Sequence, residues 1–155
     1  MSQATDLETL FARAARLAAD HRATLPARRV AAEMSRDVLL ERVARPLQDG
    51  PTPAATVLEE LVADFDPGVV ATPGPRFFGF VIGGALPAAS AADMVATGWD
   101  QCGFNAALSP AASVAETVAG DWVKDLLSLP PDASVGFVTG AQGANTVGLA
   151  ATAGP

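Results

Sequence analysis

A chain of 155 residues, half of them hydrophobic, is long enough to build one domain around a core. Its formal charge of −7 is unevenly spread: residues 1–45 carry eight arginines against six acids, whereas residues 46–155 carry Arg76 and Lys124 against eleven. An acidic body repels phosphate backbones and excludes nucleic acid as a natural partner.

The one cysteine, Cys102, excludes an intrachain disulfide and fits a reducing compartment. Asp6 and Glu8 interrupt the N-terminus before any apolar signal core can form. The uncharged stretch 77–92 is broken by Gly79, Gly83, Gly84 and Pro87 and is too short for a membrane span. A soluble cytoplasmic protein is expected.

In chain order, Leu7, Leu10, Phe11, Ala14, Leu17 and Ala18 recur at helical spacing, with Arg13, Arg16, Asp20 and Arg22 on the other side. This predicts an amphipathic helix over 4–23, ending near Pro26. A shorter helix is expected over 35–45, with Val38, Leu39 and Val43 inward. Thr52-Pro53 reads as an N-cap with proline in the first turn of a third helix, stopped by Asp66-Pro67-Gly68. Residues 72–84 read as an aromatic-rich extended or looped segment, and 86–100 as helix again. Ser109-Pro110 is a second cap-plus-proline start, opening a long helix to about Ser128 with Val114, Val118, Trp122, Leu126 and Leu127 buried. Val135 to Val138 is a short β-rich run, followed by Thr139-Gly140-Ala141-Gln142-Gly143 and a helix of small residues to Ala153, where Gly154-Pro155 could stop it.

The order is thus helices, one strand, a glycine turn and a helix, the opening of an α/β unit. One strand has no sheet to pack on, so the architecture reads as unfinished. The turn is the one site-like motif. Small residues ahead of a helix N-terminus let an anion approach the backbone amides, where the helix dipole favours negative charge. It is neither G-x-G-x-x-G nor a P-loop. Close helix–strand packing with no ligand explains the same residues.

Other chemistry has little support. A lone His21 and a lone Cys102 offer no metal-ligand spacing, and no G-x-S-x-G elbow is present. Glu59, Glu60 and Asp64 read as a solvated acidic face, Lys124 and His21 as surface residues, and Cys102 as a small buried or half-buried thiol.

The run Leu108-Ser109-Pro110-Ala111-Ala112-Ser113-Val114-Ala115-Glu116, then Val118, Trp122 and Leu126-Leu127-Ser128-Leu129-Pro130, lies just ahead of the glycine turn. With Pro75-Arg76-Phe77-Phe78-Gly79-Phe80 and Ala91-Ala92-Asp93-Met94, it resembles the pyridoxal-phosphate-dependent amino-acid decarboxylases, the group of the aromatic amino-acid and glutamate enzymes. The likeness covers roughly 50–155 and is looser in the first helices.

The resemblance implies an incomplete α/β chain. An N-terminal helical dimerisation segment, 1–70, would precede the start of a fold-type-I large domain, 71–155, comprising its first strand and the cofactor-phosphate helix. It implies pyridoxal 5'-phosphate as cofactor, held at Gly140, Ala141, Gln142 and Gly143, although the family usually has Ser or Thr where this chain has Gln142. It places Phe80 and Phe104 at a substrate pocket, with core packing as the alternative role for such aromatics.

It also implies a homodimeric carboxy-lyase that converts an amino acid to an amine. The reaction needs a lysine to condense with the cofactor aldehyde and a carboxylate on the ring nitrogen. The family carries these later in its chain, so this short chain is expected to be inactive and, alone, sticky or partly molten. The alternative is a non-catalytic fragment that pairs with a full-length subunit.

Overall fold

The computed structural model describes residues 6–153. Six α-helices are present among them: α1 (Leu7–Thr24), α2 (Arg36–Val43), α3 (Ala54–Phe65), α4 (Pro87–Trp99), α5 (Pro110–Leu126) and α6 (Ala141–Thr152). A 3-10 turn, Asp66–Gly68, continues α3. The expected helix start at residue 4 and the stop at Gly154-Pro155 lie outside the described residues. The chain divides into two compact units, Met1–Met94 and Val95–Pro155, so the division falls inside α4.

In the first unit, α3 packs against α1, α2 and the 3-10 turn. Leu17 and Ala18 of α1 and Leu58 and Val62 of α3 are only half-buried. Charge fastens the helices where apolar burial is thin. Arg13 on α1 meets Glu59 on α3 with both fork nitrogens, at 2.5 and 3.0 Å. Arg42 and Arg45 both reach Asp64, at 3.1 and 2.5 Å, and Arg45 also reaches Glu60 at 3.5 Å. Glu59, Glu60 and Asp64 are therefore inter-element clamps and not the bare solvated face that their run suggested. The backbone is stitched as well: Glu33 and Met34 amides donate to Pro67 O, and Ala71 N to Val30 O. The buried apolar residues here are Leu25, at the end of α1, and Ala71.

In the second unit, Ser109 is fully buried and caps α5 as expected: its Oγ accepts from Ala112 N and donates to Gln101 Oε1, both at 3.2 Å. Asn105 prepares that start, its Oδ1 accepting from the Ala107 and Leu108 amides at 3.0 Å. The far end of α5 is also closed. Ser128 takes a left-handed φ of 53°, Leu129 N donates to Lys124 O at 2.9 Å, and Ser128 N to Asp125 O at 3.1 Å. This is a Schellman stop, with the Pro130-Pro131 pair following it.

Three expectations fail. The side chains expected inward on α2 and α5 are exposed at Val38, Val114, Val118, Trp122, Leu126 and Leu127, because no other described element packs over them. No strand occurs among the described residues; Val135–Val138 is irregular and makes no ladder hydrogen bonds. A strand exists only against a neighbour that accepts its backbone groups, and none is present. The fold is helical here, and the α/β start is not observed. The Thr52 cap is also not made. Pro53 occupies the N-cap position with no side-chain bond, and Thr52 Oγ1 donates to Gln48 Oε1 at 2.6 Å instead.

Candidate functional site

The glycine turn survives the loss of the strand. Gly140 has φ 146° and ψ 169°, a conformation open in practice to glycine alone, and it swings the chain into α6. The first helical bond is Ala144 N to Gly140 O at 3.1 Å, and no side chain caps the helix. The amides of Ala141, Gln142 and Gly143 precede that bond and are the orphan donors of the helix start. A Cβ built on Gly140 would meet nothing within 4 Å, so the space beside Gly140 itself is open, whereas one built on Gly143 would meet Val138 at 3.5 Å. Gln142 is exposed and its carbonyl accepts from Thr146 Oγ1 at 3.0 Å.

Such a terminus attracts an anion through aligned amides and helix dipole. No arginine occurs beyond Arg76, so an anion here would rest on backbone donors. A phosphate group fits this cradle. The second requirement of such a cofactor, a free lysine, has no candidate. Lys124, the only lysine in the sequence, is 15 % exposed; its Nζ pairs with Asp121 and donates to Pro131 O, both at 2.9 Å. Lys124 thus ties the loop after α5 back onto the helix, where a solvated surface residue was expected.

Phe80 belongs to the first unit and Phe104 to the second, and both are exposed. Phe80 and Val81 have left-handed φ values of 57° and 56°. For a β-branched residue that is a strained state, held here in a segment whose side chains have no core of their own. Phe77 is half-buried and Phe78 exposed. Cys102 is exposed, not half-buried as expected.

His21 is also more engaged than its sequence position suggested. Its Nδ1 lies 3.1 Å from Asp66 Oδ1, while Arg28 donates to Asp66 Oδ2 at 2.6 Å and to the Asp66 carbonyl at 3.0 Å. The Arg28 hydrogen bond, opposed by partial burial and aided by His21, holds the Asp66 carboxyl below its ordinary range. This cluster joins the end of α1 to the 3-10 turn, with Asp66 paired to both Arg28 and His21.

Among the described residues, no helix is long and apolar enough to cross a membrane, and no group of three or more metal-ligating side chains occurs.

No family model matches the chain. It is 34% identical over 80 residues to phenylacetaldehyde synthase from a Rosa hybrid cultivar, covering 52% of this chain and 16% of that protein. It is 30% identical over 101 residues to tyrosine decarboxylase 4 from Petroselinum crispum, covering 65% and 20%. Among solved structures, it superposes on TDC from Oryza sativa with PLP and tryptamine with a TM-score of 0.71 at 26% identity, covering 83% of this chain and 27% of that one. Tryptophan decarboxylase from Catharanthus roseus in complex with L-tryptophan gives a TM-score of 0.67 at 26% identity, covering 81% and 28%. The chain therefore spans about a fifth of the curated relatives that it matches. By sequence and by structure it is a homologue of part of the pyridoxal-phosphate-dependent aromatic amino-acid decarboxylases.

Proposed function

We propose that this chain is the cofactor-phosphate-binding part of a pyridoxal-phosphate-dependent decarboxylase that converts an aromatic amino acid to its amine. One observation carries the reading: the open N-terminus of α6, with Gly140 at φ 146° and three uncapped amides, in a chain whose relatives are such enzymes. When bound, the cofactor supplies an electron sink for the bond that loses the carboxylate. The chain's own residues hold and orient it: the amides of Ala141, Gln142 and Gly143 take the phosphate, Gly140 leaves open space beside the turn, and Gly143 makes room for Val138.

Phe80 and Phe104 are proposed as apolar walls of an aromatic substrate pocket. The lysine and carboxylate of the reaction are proposed to come from sequence outside these 155 residues. Residues 1–70 are proposed as a dimerisation segment and 71–155 as the start of the large domain of a cytoplasmic homodimer. Exposed apolar side chains on every helix longer than two turns also favour the second reading, a non-catalytic chain that pairs with a full-length subunit.

The test is a pyridoxal-phosphate titration followed by absorbance, competition with inorganic phosphate, and borohydride trapping. Reversible binding that phosphate displaces, with no trapped lysine, is expected. Absence of binding, or covalent trapping at Lys124, would overturn the assignment. Co-purification with a full-length relative without cofactor binding would favour the second reading.

A further inference from the structure

Gly120 stands in the middle of α5, where glycine costs about 1 kcal/mol relative to alanine. It is also the one buried residue of that helix. Val135 accounts for both facts. A Cβ added to Gly120 would lie 3.3 Å from Val135 Cβ and 3.5 and 3.6 Å from its two methyls. Val135 therefore sits directly on the bare backbone of α5. One turn along, Lys124 donates to Pro131 O at 2.9 Å, so two residues at i and i+4 hold the incoming segment to one face.

Three residues after Val135 the segment meets α6. A Cβ on Gly143 would lie 3.5 Å from Val138 Cβ and 3.7 Å from its Cγ2. Val135 seated on Gly120 and Val138 seated against Gly143 thus fix the segment between the two helices. With no strand ladder among the described residues, these seats define where the turn at Gly140 begins.

We propose that Gly120 is a positioning residue for the anion-binding turn. Its missing side chain sets the height of Val135 over α5, and through Val138 the direction in which the Ala141–Gly143 amides point. This rests on the assignment of those amides to the cofactor phosphate, and it adds a residue twenty positions upstream that makes no contact with the ligand.

The test uses the 155-residue chain, wild type, Gly120→Val, and the exchange variant Gly120→Val/Val135→Gly, which returns the displaced volume. Amide NMR shifts of residues 138–143 report the turn without any ligand, and pyridoxal-phosphate affinity is measured beside them. Gly120→Val should move the 141–143 amides, keep the helical circular dichroism, and weaken binding about tenfold, the loss of roughly one good hydrogen bond. The exchange variant should restore both.

Unmoved turn amides in Gly120→Val would overturn the proposal whatever the cofactor does. So would a shift that the exchange variant fails to reverse, or a collapse of helicity in both variants. Moved and restored amides in a chain that binds no pyridoxal phosphate would support the seat and overturn the cofactor assignment instead.

Discussion

Asp66 shows what single residues do in a unit with little core. Its carboxylate collects Arg28 and His21, and Arg28 also holds the Asp66 carbonyl, so one acidic residue anchors the end of α1 to the turn after α3. Its pKa is lowered, chiefly by the Arg28 hydrogen bond. A depressed carboxylate contributes stability that is fully present above its unfolded pKa, about 3.9, and is lost as pH falls through the folded value. Acid should therefore loosen this corner below about pH 4. With Asp66 39 % exposed, solvent screening limits the whole effect to about 1 kcal/mol. Asp66→Asn should be less stable at neutral pH by up to that amount, and its helical circular dichroism should lose the part of the acid transition that Asp66 supplies. An unchanged transition would remove Asp66 from the account. Asp66 was legible in the sequence only as a helix stop; its partners lie 38 and 45 residues away, beyond any local pattern.

At the scale of elements, helices were legible and their neighbours were not. Apolar spacing and caps located all six helices to within a few residues, because helix hydrogen bonds are internal to the segment. The strand at 135–138 failed because its bonds belong to another segment. The two cap-plus-proline starts separate the same way. Ser109-Pro110 works because Asn105 turns the chain so that Ser109 Oγ faces Ala112 N, whereas Thr52 is drawn to Gln48 and leaves Pro53 at the helix start. Ser109→Ala should cost about 1–2 kcal/mol, since the cap is lost and Gln101 loses its donor. Thr52→Ala should stay within about 0.5 kcal/mol. The helical circular dichroism of both variants under one set of conditions checks the contrast, and equal losses of signal would contradict it. At the other end of α5, Ser128 pays for a left-handed φ that glycine adopts freely. Ser128→Gly should stabilise the helix by up to about 1 kcal/mol, read as a stronger helical circular dichroism signal.

The whole molecule exposes 12330 Å². Two separate compact bodies of these sizes would expose roughly 8,700 Å² by the usual scaling of surface with mass. The excess is visible residue by residue: Trp122 is 68 % exposed, Leu126 81 % and Phe78 93 %, and among the described residues only Leu25 and Ala71 are buried apolar side chains. The α5 face of Val114, Val118, Trp122 and Leu126 was expected to be buried from its helical spacing, and the structure leaves it exposed. At about 25 cal/mol per Å² of apolar surface, even part of that excess outweighs the 5–15 kcal/mol by which an ordinary domain is stable. The chain alone should therefore bind the dye ANS strongly and melt over a broad range, with an unfolding enthalpy well below the roughly 0.7 kcal/mol per residue of a packed domain. Differential scanning calorimetry on the monomer decides it. A sharp two-state transition carrying the full enthalpy would mean that these helices close a core of their own, and the case for a larger assembly around α5 and α6 would fall with it.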